Sequence, residues 1–102
     1  MHVLIVRIEL HLPQSRSLKE KRAAIRPVVE GVRNRFSLSV AEVDYQDKWQ
    51  RAAIGGAVVS ASQAHAREVV EAVERYVWSK PEIEVAGFES RWYSWEDGDG
   101  GA

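Results

Sequence analysis

Apolar and polar residues alternate at the start of the chain. The apolar positions of this segment are Leu4, Val6, Ile8, Leu10 and Leu12. A period of two is typical of a β-strand with one buried face. We therefore predict a first strand whose even-numbered residues face the core.

A helix is predicted after the break at Pro13-Gln14-Ser15-Arg16. Ser17-Leu18-Lys19-Glu20 matches a capping box, in which the Ser and Glu side chains bind the first free backbone N–H groups. The apolar residues that follow recur on one helical face: Leu18, Ile25, Val28, Val29, Val32 and Phe36. Pro27 lies inside this segment, so we expect a bend or a local rupture on the side away from the core, which the helix should survive.

The rest of the chain is predicted to form a hairpin, a helix and a last strand. Residues 37–45 and 49–62 are rich in β-formers and flank a polar turn, which predicts a hairpin. Gly55-Gly56 inside its second strand indicates a bulge or a close backbone approach. Apolar residues at helical spacing then run from Ala66 to Val77, before Pro81. Residues 83–95 complete the pattern as a last strand.

This order predicts an α+β fold. Two amphipathic helices on one face of a four-stranded antiparallel sheet bury every apolar stripe, and right-handed crossovers give the ferredoxin-like βαββαβ arrangement. We expect one domain over residues 1–95 and a flexible, acidic, Gly-rich tail over residues 96–102.

Charge is unevenly distributed, although the net charge is only -1. Residues 16–35 hold seven Lys or Arg and two Asp or Glu. The absence of cysteine excludes disulfides and thiolate metal sites. No apolar run approaches the roughly 20 residues of a membrane span, and the first residues lack an export signal, so a cytoplasmic protein is expected.

The first helix carries the main candidate site. Lys19, Arg22, Arg26 and Arg33 project within a band roughly 60° wide. Together with Lys21, and with Arg16 and Ser17 at the helix N-terminus, they form a candidate anion-binding or RNA-binding surface. The alternative is that Glu30 pairs with Arg26 and Arg33, that the acidic residues of the second helix neutralise the others, and that Ser17 is only a cap.

Catalytic and metal sites are not predicted. His2 and His11 lie on opposite faces of one strand, and His65 begins the second helix. No spacing brings together a carboxylate pair, a Ser/His/Asp set or a phosphate loop. We therefore expect a non-enzymatic protein with no catalytic residues, no metal and no cofactor.

The sheet face opposite the helices is a second candidate surface. On the two central strands it carries Val3, Ile5, Ala53 and Ala57, with no ring on which a base could stack as in RNA-recognition motifs. Such an apolar face favours a second copy of the chain as its cover, or else partial cover by Tyr93 and Trp95. The sequence does not predict which side of its helix or strand each of the four tryptophans faces, and at least one is expected at an interface.

In four segments the chain resembles the YlxP-like family of small bacterial proteins, and the likeness extends over nearly its whole length. The four segments are residues 17–22 (SLKEKR), 33–36 (RNRF), 39–43 (SVAEV) and 49–52 (WQRA). No biochemical activity is established for this family, so the resemblance does not imply a reaction. Members are often encoded beside a translation initiation factor and a ribosome-binding assembly factor, which implies a role near ribosome assembly or translation.

Two hypotheses follow. The first is a binding protein that contacts ribosomal RNA, or a ribosome-associated protein, through the basic first helix. The second is a homodimeric structural or small-ligand-binding module that uses the open sheet face, with the basic helix merely solvated.

Overall fold

Six elements make up the described part of the chain, residues 1–95 of a computed structural model. They are β1 (His2–His11), α1 (Leu18–Arg35), β2 (Ser39–Asp44), β3 (Arg51–Ser60), α2 (Gln63–Trp78) and β4 (Glu84–Ser94). Every element starts and ends within a few residues of its predicted position. The tail predicted over residues 96–102 lies outside the described residues.

The four strands form one antiparallel sheet in the order β2-β3-β1-β4. This order and the βαββαβ sequence confirm the predicted ferredoxin-like fold. β1 and β3 are central because each is joined to two neighbours, whereas β2 and β4 form the edges. A row across the sheet joins Arg91, Ile5, Ala57 and Ser39, so these four residues share one face.

The core lies between the sheet and the two helices. The four even-numbered apolar residues of β1, and Leu12 just after it, are at most 3% exposed, which confirms the predicted core face. α1 contributes Ile25, Val28, Val29 and Val32, and α2 contributes Ala66, Val70, Val73 and Val77. Burial of these apolar stripes supplies the main driving force for folding.

Pro27 and Gly55-Gly56 are the two places inside predicted elements where the sequence indicates an irregular backbone. α1 continues through Pro27, whose side is exposed. No register shift falls at Gly55-Gly56; one occurs instead in β2, between Glu42 and Asp44. The Val43 side chain occupies the space beside Gly55, where an added Cβ would lie 2.9 Å from Val43 Cγ1. Gly55 therefore accommodates a side chain of the neighbouring strand β2.

Within residues 1–95, neither helix is long and apolar enough to cross a membrane.

Candidate functional site

The N-terminus of α1 is capped by the chain itself. Ser17 Oγ accepts the Glu20 N–H at 3.0 Å, and Glu20 Oε1 accepts the Arg16 N–H at 2.8 Å. The Glu20 carboxylate therefore lies where the helix dipole would attract an external anion. Ser17 acts as the N-cap, and the side chain of Arg16 beside it is exposed.

Lys21 is not on the basic surface, which corrects its predicted placement. Its side chain has no exposed surface. Lys21 Nζ donates to the Tyr45 carbonyl at 2.6 Å and the Arg51 carbonyl at 3.3 Å, and lies 3.2 Å from Glu42 Oε2. The contact with Glu42 is an ion pair without hydrogen-bond geometry, since that oxygen has no hydrogen-bond partner among the described residues. A buried cation so enclosed joins α1 to the β2–β3 hairpin and cannot meet an external phosphate.

Arg33 is largely engaged within the chain. Its guanidinium binds Glu30, three residues earlier on the same helix, and Arg33 Nη2 donates to the Val40 carbonyl at 3.1 Å. The Arg33–Glu30 ion pair is one of those predicted by the alternative in which carboxylates of the same chain neutralise the basic helix. Arg33 therefore connects α1 to β2 and has little capacity left for a ligand.

Three cations of the predicted set remain together, and we name Lys19, Arg22 and Arg26 the basic row. All three side chains are exposed and line one groove with Ala23 and Pro27. Arg22 and Arg26 also line a second groove, between α1 and β2. Among residues 1–95 none of the three forms an ion pair, and the acidic residues of α2 pair with no cation of α1.

A charged network covers one end of the open sheet face. Tyr45, at a positive φ of 62°, donates its hydroxyl to Glu9 Oε1 at 2.8 Å and receives Arg51 Nη2 at 2.9 Å. Arg7 binds Asp44 at 3.1 Å and Glu9 at 3.3 Å. The Tyr45 hydroxyl, and then Arg7, lower the pKa of the Glu9 carboxyl; the Tyr45 N–H, and then Arg7, lower the pKa of Asp44. Both carboxylates are thus held ionised and paired.

A second part of the open face is apolar and largely open to solvent. Val3, Ile5, Ala57 and Val59 lie on the central strands, beside Tyr93 on β4. Ile5 is 49% exposed, Val59 64% and Tyr93 60%. Tyr93 therefore does not cover this face, and we name these five residues the apolar sheet patch.

The tryptophans divide into one inner and three outer side chains. Trp92 is half-buried against the core and meets the His2 ring edge-on, with centroids 6.3 Å apart. Trp49, Trp78 and Trp95 are 56–60% exposed. Trp49 lies in a pocket between the β2–β3 turn and His11.

Metal-binding side chains do not converge in the described residues. His11 Nδ1 lies 3.0 Å from Glu84 Oε1 and His2 Nδ1 lies 3.0 Å from Ser94 Oγ. Across residues 1–95, no group of three or more His, Asp or Glu side chains could hold an ion.

Comparison with known proteins places these features in a family. A family model described as "Protein of unknown function (DUF503)" matches residues 3–90. The chain belongs to the DUF503 family. It is 39% identical over 77 residues to "Uncharacterized protein YlxP" of Bacillus subtilis (strain 168), covering 76% of this chain and 84% of that protein. The resemblance to the YlxP-like family is thereby confirmed, and the function of the DUF503 family is not established.

Solved structures similar to this DUF503 chain support the fold alone. The designed protein Foldit4 matches with a TM-score of 0.55 at 14% identity, covering 94% of this chain and all of that one. The designed protein LFR1 1, with a ferredoxin fold, matches at 0.53 and 9% identity over 94% of this chain and 88% of that one. SnoaB, a cofactor-independent oxygenase from Streptomyces nogalater, matches at 0.50 and 7% identity over 93% of each chain. At such identities, likeness of fold carries no function.

Proposed function

We propose that this chain is a non-enzymatic, cytoplasmic RNA-binding protein that associates with ribosomal RNA through the basic row. One observation carries the proposal: Lys19, Arg22 and Arg26 are exposed, line one groove and have no ion-pair partner among residues 1–95. Exposed cations without carboxylate partners are free to replace the counterions of a phosphate backbone.

The geometry of α1 suits a linear polyanion. Lys19 and Arg26 are seven residues apart, so the row extends over about 10 Å of helix. The neighbouring cations Lys21 and Arg33 are held by carboxylates and carbonyls, which restricts the contact to this row and the adjacent Arg16. The site therefore reads the phosphate backbone and not the base sequence.

The test is association with bacterial ribosomal particles at two salt concentrations. Three phosphate contacts predict that binding weakens by about 20- to 40-fold between roughly 50 and 200 mM salt. Combined Lys19→Glu, Arg22→Glu and Arg26→Glu substitutions should abolish most of the binding at low salt and most of its salt dependence. Co-sedimentation with the particles measures both quantities.

A matched control reverses three cations elsewhere. Arg67→Glu, Arg75→Glu and Lys80→Glu change the net charge by the same amount on and beside α2. This control should retain most of the binding, because the three reversed cations lie outside the proposed RNA contact. If reversal of the basic row leaves association at low salt unchanged, the proposal is refuted.

The apolar sheet patch favours a second candidate function, as a homodimeric module. Monomers seldom expose a contiguous apolar surface of this kind. Arg91 and Glu89 lie exposed on the same face, without an ion-pair partner among residues 1–95. Opposite charges on one patch are self-complementary under twofold symmetry, so a second copy is the occupant we propose.

Solution size tests this second candidate. We expect a dimer at high protein concentration by sedimentation equilibrium, and a monomer after Val59→Glu, which would bury a charge within the interface. The control Trp78→Glu alters an equally exposed side chain on α2 and should leave the dimer intact. A strictly monomeric unmodified chain would remove this candidate without affecting the first.

A further inference from the structure

Trp49 is more than half exposed, whereas the three residues that follow it are held by packing, ring stacking or hydrogen bonds within residues 1–95. Ala52 is fully buried in the core. The Arg51 guanidinium stacks on the Tyr45 ring, 4.0 Å from its centroid, and Gln50 is held by its side-chain amide. The indole of Trp49 is 56% exposed and makes no ring contact with residues 1–95. An indole that is more than half exposed offers a ligand both an apolar ring and an N–H donor.

The pocket around Trp49 combines one aromatic face with polar groups. Its lining residues are His11, Asp47, Lys48, Trp49, Gln50 and Arg51. The Lys48 ammonium has no partner among residues 1–95, and in that same range no group donates to Gln50 Oε1. A flat, hydrogen-bonding anion would find here a stacking surface, an acceptor and a cation.

This pocket is fixed beside the start of α1. Gln50 Nε2 donates to the Ser15 carbonyl at 3.1 Å and the Pro13 carbonyl at 3.3 Å, and the Leu12 N–H binds the Gln50 carbonyl at 2.9 Å. Ser15 is only four residues from Lys19, the first member of the basic row. The β2–β3 turn is therefore held against the loop that leads into α1, the helix that carries the basic row.

We infer that Trp49 is a stacking platform for an unpaired base of the RNA whose backbone follows the basic row. The inference rests on the proposed function and specifies its substrate as RNA with an unstacked nucleotide, such as a loop, a bulge or a single strand. In a duplex the bases are stacked on one another, so the indole could not reach a base face. The nearby cations Lys48 and Arg16 favour this polyanion over an apolar protein partner.

The experiment compares two RNA probes with the full chain. They are fluorescein-labelled oligouridylate of about 12 nucleotides and an RNA duplex of about 12 base pairs. Trp49→Ala should weaken binding of the single strand by about 5- to 150-fold, the range for loss of one stacked base. Binding of the duplex should stay within about twofold, because it uses only phosphate contacts.

Two further variants separate stacking from general damage. Trp49→Phe keeps a ring and should retain most of the single-strand affinity, while losing the quenching of tryptophan fluorescence that the bound base causes. Trp78→Ala removes an indole that is 60% exposed on α2 and should leave both probes bound as before.

The outcomes distinguish this inference from the function on which it rests. If reversal of the basic row weakens both probes but Trp49→Ala weakens neither, or both equally, the inference is refuted and the proposed function stands. Equal losses in Trp49→Ala and Trp78→Ala also refute the inference. If the unmodified chain binds neither probe nor ribosomal particles, both fail.

Discussion

Replacing Lys21 with methionine is expected to lower the free energy of unfolding by about 3 kcal/mol. Methionine is similar in length, so the cost arises chiefly from lost charge and hydrogen bonds and less from an empty cavity. The substitution leaves the Glu42 carboxylate, only 23% exposed, without its cation. It also deprives the Tyr45 and Arg51 carbonyls of their donor.

Urea unfolding followed by circular dichroism measures this loss. Lys19→Met is the matched control, since it makes the same change two residues away on the exposed side of α1, and it should alter stability by less than about 0.5 kcal/mol. Adding Glu42→Gln to Lys21→Met should recover part of the loss, because the stranded charge is then removed. Equal stability of the Lys21 and Lys19 variants would show that the buried contacts contribute nothing.

Lys21 also links the interior to the candidate binding surface. The two carbonyls that it binds, those of Tyr45 and Arg51, flank the turn that carries Lys48 and Trp49. Hydrogen bonds from Gln50 hold the same turn against the β1–α1 loop. Lys21, predicted from the sequence to bind RNA, thus supports the turn that carries Trp49.

Helical angle could have revealed the burial of Lys21. At 100° per residue, Lys21 lies about 20° from both Val28 and Val32, inside the apolar stripe. Lys21 is nevertheless predicted on the basic surface from its residue type, because lysine is rarely buried without a partner. That partner, Glu42, lies on β2, and its approach to Lys21 depends on the tertiary packing of α1 against the sheet.

Periodicity predicted the order of elements because each strand and helix buries one face, and the period of that face is set locally. The network of Arg7, Glu9, Asp44, Tyr45 and Arg51 had no comparable signal. Its members come from β1, the end of β2, the β2–β3 turn and the start of β3, and the register shift in β2 changes which side chains share a face. Only the pairing of strands, which one sequence does not give, brings these five residues together.

Replacing Gly31 with alanine is expected to destabilise the fold by about 1–3 kcal/mol, as overpacking does, although alanine is the better helix former by about 1 kcal/mol. The added Cβ would lie 1.9 Å from the Tyr76 hydroxyl oxygen and 2.8 Å from Cζ. The Tyr76 ring cannot move freely, because it meets Phe36 edge-on and lies between the cations of Arg35 and Lys80, 4.9 and 4.3 Å from its centroid.

Denaturant unfolding of three variants tests this packing. Asn34→Ala, at an exposed position of the same helix, reports the helix-propensity gain alone and should stabilise slightly. Tyr76→Phe combined with Gly31→Ala removes the nearest clashing atom but leaves Cζ, so it should recover only part of the loss. Gly31→Ala could instead gain as much stability as Asn34→Ala. The Tyr76 side chain would then move aside at little cost, and the packing of α1 against α2 would not restrict the residue at position 31.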